Sequence, residues 1–247
     1  MRINTNVSSL TAQEAAKNTN SSISSSLEKL STGLKINKAS DDASGLAIAD
    51  KLRTQVTSIN QGVANGNSAI TLLQIADKSM AEQSKILDTV KSKLIQANTA
   101  TTSSDGRESI RKDITKLLEQ LDNIAQQTNY NSTYLLQESA TASGVSVALN
   151  FQVDEKSSDI ISMGSVRANT GGLALTSINA LSANGLTSAL SGTAQTTVDT
   201  AITTLNGYRG DIGSTQNQVE SAVRNLMTQA TNIKNAESVI RDVDYAE

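Results

Sequence analysis

The sequence predicts a mainly α-helical protein: an elongated antiparallel helical bundle or coiled coil, built from both ends of the chain, with a small β-containing central region. Three observations predict this fold class. Apolar residues recur at alternating steps of three and four over long stretches near both ends. A short central stretch instead alternates apolar and polar residues, as a strand does. The chain has no Pro and only 2% aromatic residues, which suits long helices with a thin core.

The first helical segment covers residues 4–34. Its apolar side chains are spaced for one helix face, and they are Ile23, Leu27, Leu30 and Leu34. Gly33 is the expected stop of this helix. A polar link follows that includes Asp41, Asp42 and Gly45, and Ser40, Asp41 and Asp42 are candidate caps for the next helix.

The second and third helices are predicted over residues 44–98 and 107–128, joined by a polar loop in which Asp105 is a candidate cap. The apolar positions of the second helix that we expect to pack against other helices are Val56, Ile59, Val63, Ile70 and Leu73. The corresponding positions of the third helix are Ile110, Ile114, Leu117, Leu121 and Ile124. Gly62 and Gly66 interrupt the second helix and mark either a close contact or tolerated weak points.

The middle of the chain has a different periodicity. Residues 145–153 alternate with a period of two, which predicts a strand, and residues 160–163 are the expected returning strand of a hairpin. Residues 169–193 have weak periodicity and are expected to form a loop with short helical or extended pieces. We expect the β-containing region to lie at the far end of the bundle.

The last helix has the most regular pattern. Ten of its twelve core-facing positions from 205 to 243 are apolar or aromatic, and they include Leu205, Ile212, Val219, Leu226, Ile233 and Ile240. A pattern sustained over this length requires a helical partner. The terminal helices can bury each other only if the chain folds back. The predicted segments are residues 1–43 (first helix and linker), 44–139 (two helices), 140–195 (variable region with a hairpin) and 196–247 (last helix).

The composition excludes several classes of function. The chain has no His and no Cys, so the common zinc sites and the Ser-His-Asp and Cys-His catalytic arrangements cannot form. We predict no catalytic, cofactor-binding or metal-binding residues. The net charge of −3, without a basic block, argues against nucleic-acid binding. No apolar run is long enough for membrane insertion. Gly207, Gly210 and Gly213 fall within the last helix and are expected to ease packing or mark a bend, not to hold a phosphate.

Both terminal regions resemble bacterial flagellins. The resemblance rests on residues 1–6, 30–37, 41–50, 66–68 and 121–131, and on residues 208–213 and 235–246. It implies a filament subunit that is exported unfolded by the flagellar type III apparatus and is extracellular in the flagellum. It also implies the partners: other flagellin subunits, the flagellar cap and hook-associated proteins, and an export chaperone that binds the C-terminal end.

Two features depart from the family pattern. The resemblance implies a further C-terminal helix after Ala246, whereas this sequence stops at Glu247. If that helix is absent, the stripe around Ile23, Leu27 and Leu30 loses its partner and the export chaperone loses its site. In the stretch that matches the part of flagellin gripped by Toll-like receptor 5, Thr89 and Lys93 replace the Arg and Leu of the family. The residues of this region are Thr89, Val90, Lys91, Lys93, Leu94 and Gln96. The resemblance therefore implies weak receptor binding and immune evasion.

Three alternatives stay open. A hook–filament junction protein shares the terminal pattern. A filament-displayed enzyme is a different class, and the short middle region and the lack of His argue against it. A coiled-coil stalk of a signalling protein or adhesin is the third, and it requires a membrane anchor or targeting signal that the sequence does not show.

Overall fold

The computed structural model describes residues 6–137, 148–183 and 185–244, and this part of the chain is mainly helical. The helices are α1 (Val7–Thr32), α2 (Ala43–Asn98), α3 (Ser104–Gln127), α4 (Thr176–Asn179) and α5 (Ser188–Arg241). The strands are β1 (Asn129–Tyr130), β2 (Thr133–Tyr134), β3 (Asn150–Gln152) and β4 (Ile160–Ser162). A mainly α-helical chain with a small β region is therefore the fold, as predicted.

Short polar side chains cap these helices. The Asn6 side chain accepts a hydrogen bond from the Ser9 amide at the start of α1, and Gly33 ends the helix in the left-handed conformation with φ of 74°. At α3 the cap is Ser103, which accepts from the Gly106 amide, so the expectation that Asp105 is the cap was wrong. Asp105 lies in the first turn of α3 instead, where its charge complements the helix dipole.

The chain divides into two compact units. The first comprises Met1–Asn60 and Leu226–Glu247, and the second comprises Gln61–Asn225. The long helices α2 and α5 each contribute to both units.

The second unit contains most of the buried side chains. Helices α2 and α5 run antiparallel here, because Asp77 pairs with Arg209 while Lys91 pairs with Asp199. Helix α3 adds a third layer, and the core includes Leu73, Met80, Leu87, Leu94, Ile114, Leu118, Leu121, Leu205 and Ile212. Of the positions predicted to pack in this unit, Leu73, Leu121, Leu205, Ile212 and Val219 are buried, whereas Val63, Ile70, Leu117 and Ile124 are half-buried. The buried face of α3 passes through Leu118 and Ala125, one residue beyond the predicted Leu117 and Ile124, because α3 packs slightly rotated from the predicted register.

Two small hairpins follow α3. Strands β1 and β2 form a tight turn, with Asn131 and Ser132 at positive φ, that the sequence analysis did not predict. Strands β3 and β4 pair antiparallel with Phe151 opposite Ile161, and this is the predicted hairpin. Residues 145–147 of the predicted first strand lie outside the described residues, and β3 covers Asn150–Gln152.

The β3–β4 hairpin lies against α2 at Gly62. A Cβ atom at Gly62 would stand 2.1 Å from the Val153 carbonyl oxygen, so only glycine permits this approach. The Asn65 amide group donates to the Gln152 carbonyl oxygen at 3.2 Å beside it. The β-containing region was expected at the far end of the helical bundle. The hairpin instead contacts α2 at Gly62, next to Gln61, the first residue of the second unit, so that expectation was wrong.

The segment after the hairpin, residues 163–175, crosses the core without regular structure. Its backbone is held by side chains: Gln83 donates to the Ala168 carbonyl oxygen at 2.7 Å and to that of Leu121 at 3.1 Å. Asp122 accepts hydrogen bonds from the backbone amide and the hydroxyl of Thr170. The weak periodicity of residues 169–193 is explained by this arrangement and by the early start of α5 at Ser188.

The first unit has a much smaller core. Its buried apolar residues are Ile36, Ala49, Ile59 and Leu226, while Leu34, Val56, Ile233 and Ile240 are half-buried. Helix α1 has no buried residue at all. Within the described ranges, no helix has a stretch sufficiently long and apolar to cross a membrane.

Candidate functional site

The segments that follow α1 and α5 meet in the first unit. Leu34 and Asp242 form an isolated antiparallel bridge. The Lys35 amide donates to the Arg241 carbonyl oxygen at 2.7 Å, and the Val243 amide donates to the Gly33 carbonyl oxygen at 2.9 Å. We call these contacts the terminal clasp. They bring the region after α1 beside the region after α5, so the chain does fold back on itself.

Helices α2 and α5 also adjoin in this unit. An open groove of about 450 Å³ separates them, with Val56, Asn60, Met227, Ala230 and Lys234 among its lining residues. Leu226 is only 5% exposed and Ile233 is half-buried, so the apolar face of α5 is covered here.

Exposed apolar side chains are concentrated in the first unit. In the described part of the chain, twelve large apolar side chains are exposed, and eight of them belong to this unit: Val7, Leu10, Ile23, Leu27, Leu30, Ile48, Met227 and Val239. Ile23, Leu27 and Leu30, predicted as helix-packing or assembly positions, are 51%, 58% and 58% exposed in the single chain. The residues that the sequence analysis missed are Val7, Leu10, Ile48, Met227 and Val239.

The strength of this surface follows from its area. Complete burial of a Leu or Ile side chain is worth about 1.5–3 kcal/mol, so covering the exposed half of each is worth about 1 kcal/mol. Covering all five exposed side chains of α1 would therefore contribute about 5 kcal/mol to association. Of these five, Ile23, Leu27 and Leu30 lie on one face of α1, and an exposed apolar stripe of this kind is typical of an interaction surface.

The link between α1 and α2 is ordered by acidic side chains. The Asp42 carboxylate accepts hydrogen bonds from the amides of Ser44 and Gly45 and so caps α2. Asp41 faces the other way and accepts from the amides of Asn37 and Lys38 at 3.1 Å each. These two donors lower the pKa of the Asp41 carboxyl, with a smaller contribution from the charges of Lys29 and Lys38. Gly45 is buried against the Ile36 side chain.

The receptor-matching region of α2 is only partly accessible. Val90 and Leu94 are fully buried in the core of the second unit, so their assignment to a receptor-contacting surface was wrong. Thr89 and Gln96 are exposed. Lys91 pairs with Asp199 at 2.5 Å and Lys93 pairs with Asp113 at 2.8 Å.

The described residues hold no group of three or more acidic, His or Cys side chains arranged to bind a metal ion. The glycines at 207, 210 and 213 are exposed on α5, and a Cβ atom at any of them would meet no atom within 4 Å. Within the described part of this chain, no other element packs closely against these three glycines, so they do not ease packing here.

Both terminal regions of the chain match known protein families. Residues 3–141 match the profile of the bacterial flagellin N-terminal helical region, and residues 195–247 match that of the bacterial flagellin C-terminal helical region. Flagellin B of Helicobacter pylori is 50% identical over 135 residues, which cover 55% of this chain and 26% of that protein. The match thus spans about a quarter of the length of that curated relative.

A second relative aligns from end to end. The flagellar filament 30.7 kDa core protein of Treponema maltophilum is 31% identical over 252 aligned positions, covering all of this chain and 88% of that protein. Among solved structures, one described as a flagellar hook-associated protein of Vibrio parahaemolyticus has a TM-score of 0.67 at 12% identity, covering 81% of this chain and 99% of the other. At this identity the likeness concerns the fold alone.

Proposed function

The chain belongs to the bacterial flagellin family, and from this membership we propose that it is a structural, non-enzymatic subunit that polymerises with other copies of itself into the filament of the bacterial flagellum. The filament is extracellular and serves swimming motility. By the same membership, the subunit leaves the cell through the flagellar type III apparatus.

One observation carries this proposal: the first unit exposes most of the large uncovered apolar side chains while burying few of its own. Packing between copies of the chain would remove these apolar side chains from water. Helix α1 supplies five of these side chains, which makes it the principal contact surface of the proposed polymer. The helix-facing positions Leu34, Val56, Ile233 and Ile240 are half-buried and would complete their burial in the same step.

The experiment compares three proteins for polymerisation. The test variant carries Ile23→Ala, Leu27→Ala and Leu30→Ala, and the matched control carries Ile95→Ala, an equally exposed apolar residue of the second unit. Each truncation removes about 1 kcal/mol of burial, so the triple variant should need about a hundredfold higher concentration to polymerise. The control should polymerise as the parent chain does.

The readout is sedimentation of polymer at increasing protein concentration, with electron microscopy of the pellet. Circular dichroism establishes that the variants keep their helical content. Polymerisation of the triple variant at the parent concentration would exclude α1 as the contact surface. Failure of the parent chain itself to form filaments would overturn the proposed function.

A hook–filament junction protein is the second candidate, because such a protein shares the terminal helical pattern of this sequence. The two functions differ in the product, because a junction protein does not extend into long filaments. Electron microscopy of the same pellets separates them: long tubes indicate a filament subunit, and short rings or stacks indicate a junction protein.

The other proposed partners rest on family membership: the flagellar cap, hook-associated proteins and, where the C-terminal extension is present, the export chaperone. We further propose weak binding to Toll-like receptor 5. Thr89, Lys91, Lys93 and Gln96 are the accessible positions of the matching region. Purified monomer should activate receptor reporter cells weakly, and Thr89→Arg with Lys93→Leu should increase the signal. Strong activation by the parent chain would contradict this.

A further inference from the structure

The methionines of this chain differ in their exposure to water. Met80 and Met163 are buried in the core of the second unit, whereas Met227, on α5 in the first unit, is 57% exposed. Met1 lies outside the described residues. We propose that Met227 is a modification site at which oxidants of the peroxide class form a sulfoxide, and that this sulfoxide raises the concentration at which copies of the chain polymerise. The effect on polymerisation rests on the proposed function.

The composition of the chain directs such oxidants to methionine. The chain has no Cys, so no thiol competes for the oxidant. The thioether sulfur attacks one oxygen of hydrogen peroxide, an S–O bond forms and the O–O bond breaks. Sulfur loses two electrons, and the departing oxygen leaves as water after taking the proton of the transferred oxygen. Because the sulfur has to meet the oxidant in water, Met227 reacts in the folded chain, whereas Met80 and Met163 react only after local opening.

Met227 lines the open groove between α2 and α5 of the first unit. Val56 and Ala230, both half-buried, line the same groove and supply apolar wall. Leu226, the preceding residue, is buried, so Met227 extends the covered apolar face of α5 to the surface. A reduced thioether is polarisable, flexible and only a weak hydrogen-bond acceptor. Covering this side chain therefore removes apolar area from water with little loss of hydrogen bonding.

The sulfoxide has the opposite preference. Oxidation turns a flexible apolar side chain into a polar one, which disrupts interfaces that contain methionine. While the groove is open, the sulfoxide oxygen accepts hydrogen bonds from water or from Asn60 and Lys234, whose side chains carry donors and which line the groove. When a second copy covers the groove, this oxygen has to leave water, and that costs free energy. We expect the concentration needed for polymerisation to rise about tenfold or more.

The cover that we assign to this groove is a second copy of the chain. Met227 is one of the eight exposed large apolar side chains described for the first unit, so the groove belongs to the surface proposed to polymerise. Its lining carries both signs of charge, with Arg53 and Lys234 beside Glu237. A second copy also carries both signs and can place an opposite charge near each, whereas a partner of one sign, such as nucleic acid, cannot.

The first test maps oxidation on the full chain. Unpolymerised protein and sedimented polymer are treated with hydrogen peroxide for increasing times, quenched with free methionine, digested and analysed by mass spectrometry. In the unpolymerised chain, Met227 should be oxidised at least about tenfold faster than Met80 or Met163, because a buried sulfur waits for local opening. Unfolding in guanidinium should remove this difference. In the polymer, Met227 should be oxidised more slowly than in the unpolymerised chain.

The second test measures the concentration at which polymer sediments, with circular dichroism as the check on helical content. Peroxide should raise this concentration for the parent chain, and methionine sulfoxide reductases of both stereospecificities with dithiothreitol should restore it. Met227→Leu keeps an apolar side chain that cannot form a sulfoxide, so peroxide should leave its polymerisation unchanged. Met227→Gln should polymerise as poorly as the oxidised parent. The matched control Ile95→Gln, at a similarly exposed apolar position of the second unit, should polymerise as the parent does.

Oxidation of Met227 at the rate of Met80 in the folded chain would overturn the modification site. Unchanged polymerisation of the oxidised parent would overturn the effect on assembly while the proposed function stands, and so would equal inhibition of Met227→Leu by peroxide. If the untreated parent chain does not polymerise, the proposed function and its control by oxidation both fail. The oxidation map of the unpolymerised chain then still decides whether Met227 is the modification site.

Discussion

Replacing Gly62 by Ala tests the close approach of the β3–β4 hairpin to α2. In an exposed helix position, Gly→Ala stabilises by about 1 kcal/mol because Ala has the higher helix propensity. At Gly62 the new Cβ would stand 2.1 Å from the Val153 carbonyl oxygen, a backbone atom that cannot rotate away. The resulting overpacking costs about 1–3 kcal/mol.

Gly207→Ala is the matched control, since a Cβ at Gly207 meets no atom within 4 Å. The propensity gain is common to both variants and cancels in their comparison. Gly62→Ala should therefore be less stable than Gly207→Ala by about 1–3 kcal/mol in urea unfolding monitored by circular dichroism. The Gly207→Ala variant itself should be more stable than the parent chain by about 1 kcal/mol.

Hydrogen exchange localises the effect. The Val153 amide donates to the Asp159 carbonyl oxygen at 3.1 Å within the hairpin, and it should exchange faster in Gly62→Ala only. If Gly62→Ala stabilises the chain as much as Gly207→Ala and leaves this amide protected, the hairpin does not rest on α2 at Gly62.

Three further predictions concern the second unit. Gln83→Leu should destabilise it by about 1–3 kcal/mol in urea unfolding, because the buried Ala168 carbonyl oxygen loses its donor; no change would mean that residues 163–175 do not depend on Gln83. Leu121→Ala should cost about 2–5 kcal/mol, since Leu121 is fully buried, and a smaller loss would place it outside the core. A double-mutant cycle on Lys91 and Asp199 should give a coupling below about 1 kcal/mol, because both side chains are partly exposed; a larger coupling would contradict the exposure of the pair.

The long helices could be predicted because their core residues recur at alternating steps of three and four, a pattern that is visible in the sequence itself. Leu205, Ile212 and Val219 were predicted to be buried, and they are. The same pattern could not say whether the partner of an apolar stripe is in the same chain. Ile23 and Leu27 have a helical stripe as clear as that of α5, yet the structure leaves them exposed.

The remaining errors concern positions where single contacts decide the structure. The place of the β3–β4 hairpin depends on Gly62, which the sequence left open between a close contact and a tolerated weak point. Residues 163–175 have no periodicity because side chains such as Gln83 and Asp122 hold their backbone. Such pairings join residues far apart in the chain, and local patterns do not reveal them.

The terminal clasp has a mechanical consequence. Tension applied to the segments before Gly33 and after Val243 meets, first, the short backbone pairing between Leu34 and Asp242. The polypeptide between Leu34 and Asp242 carries no force until this pairing breaks. A pulling experiment should therefore record one early, low-force event, followed by the larger extension of the helices.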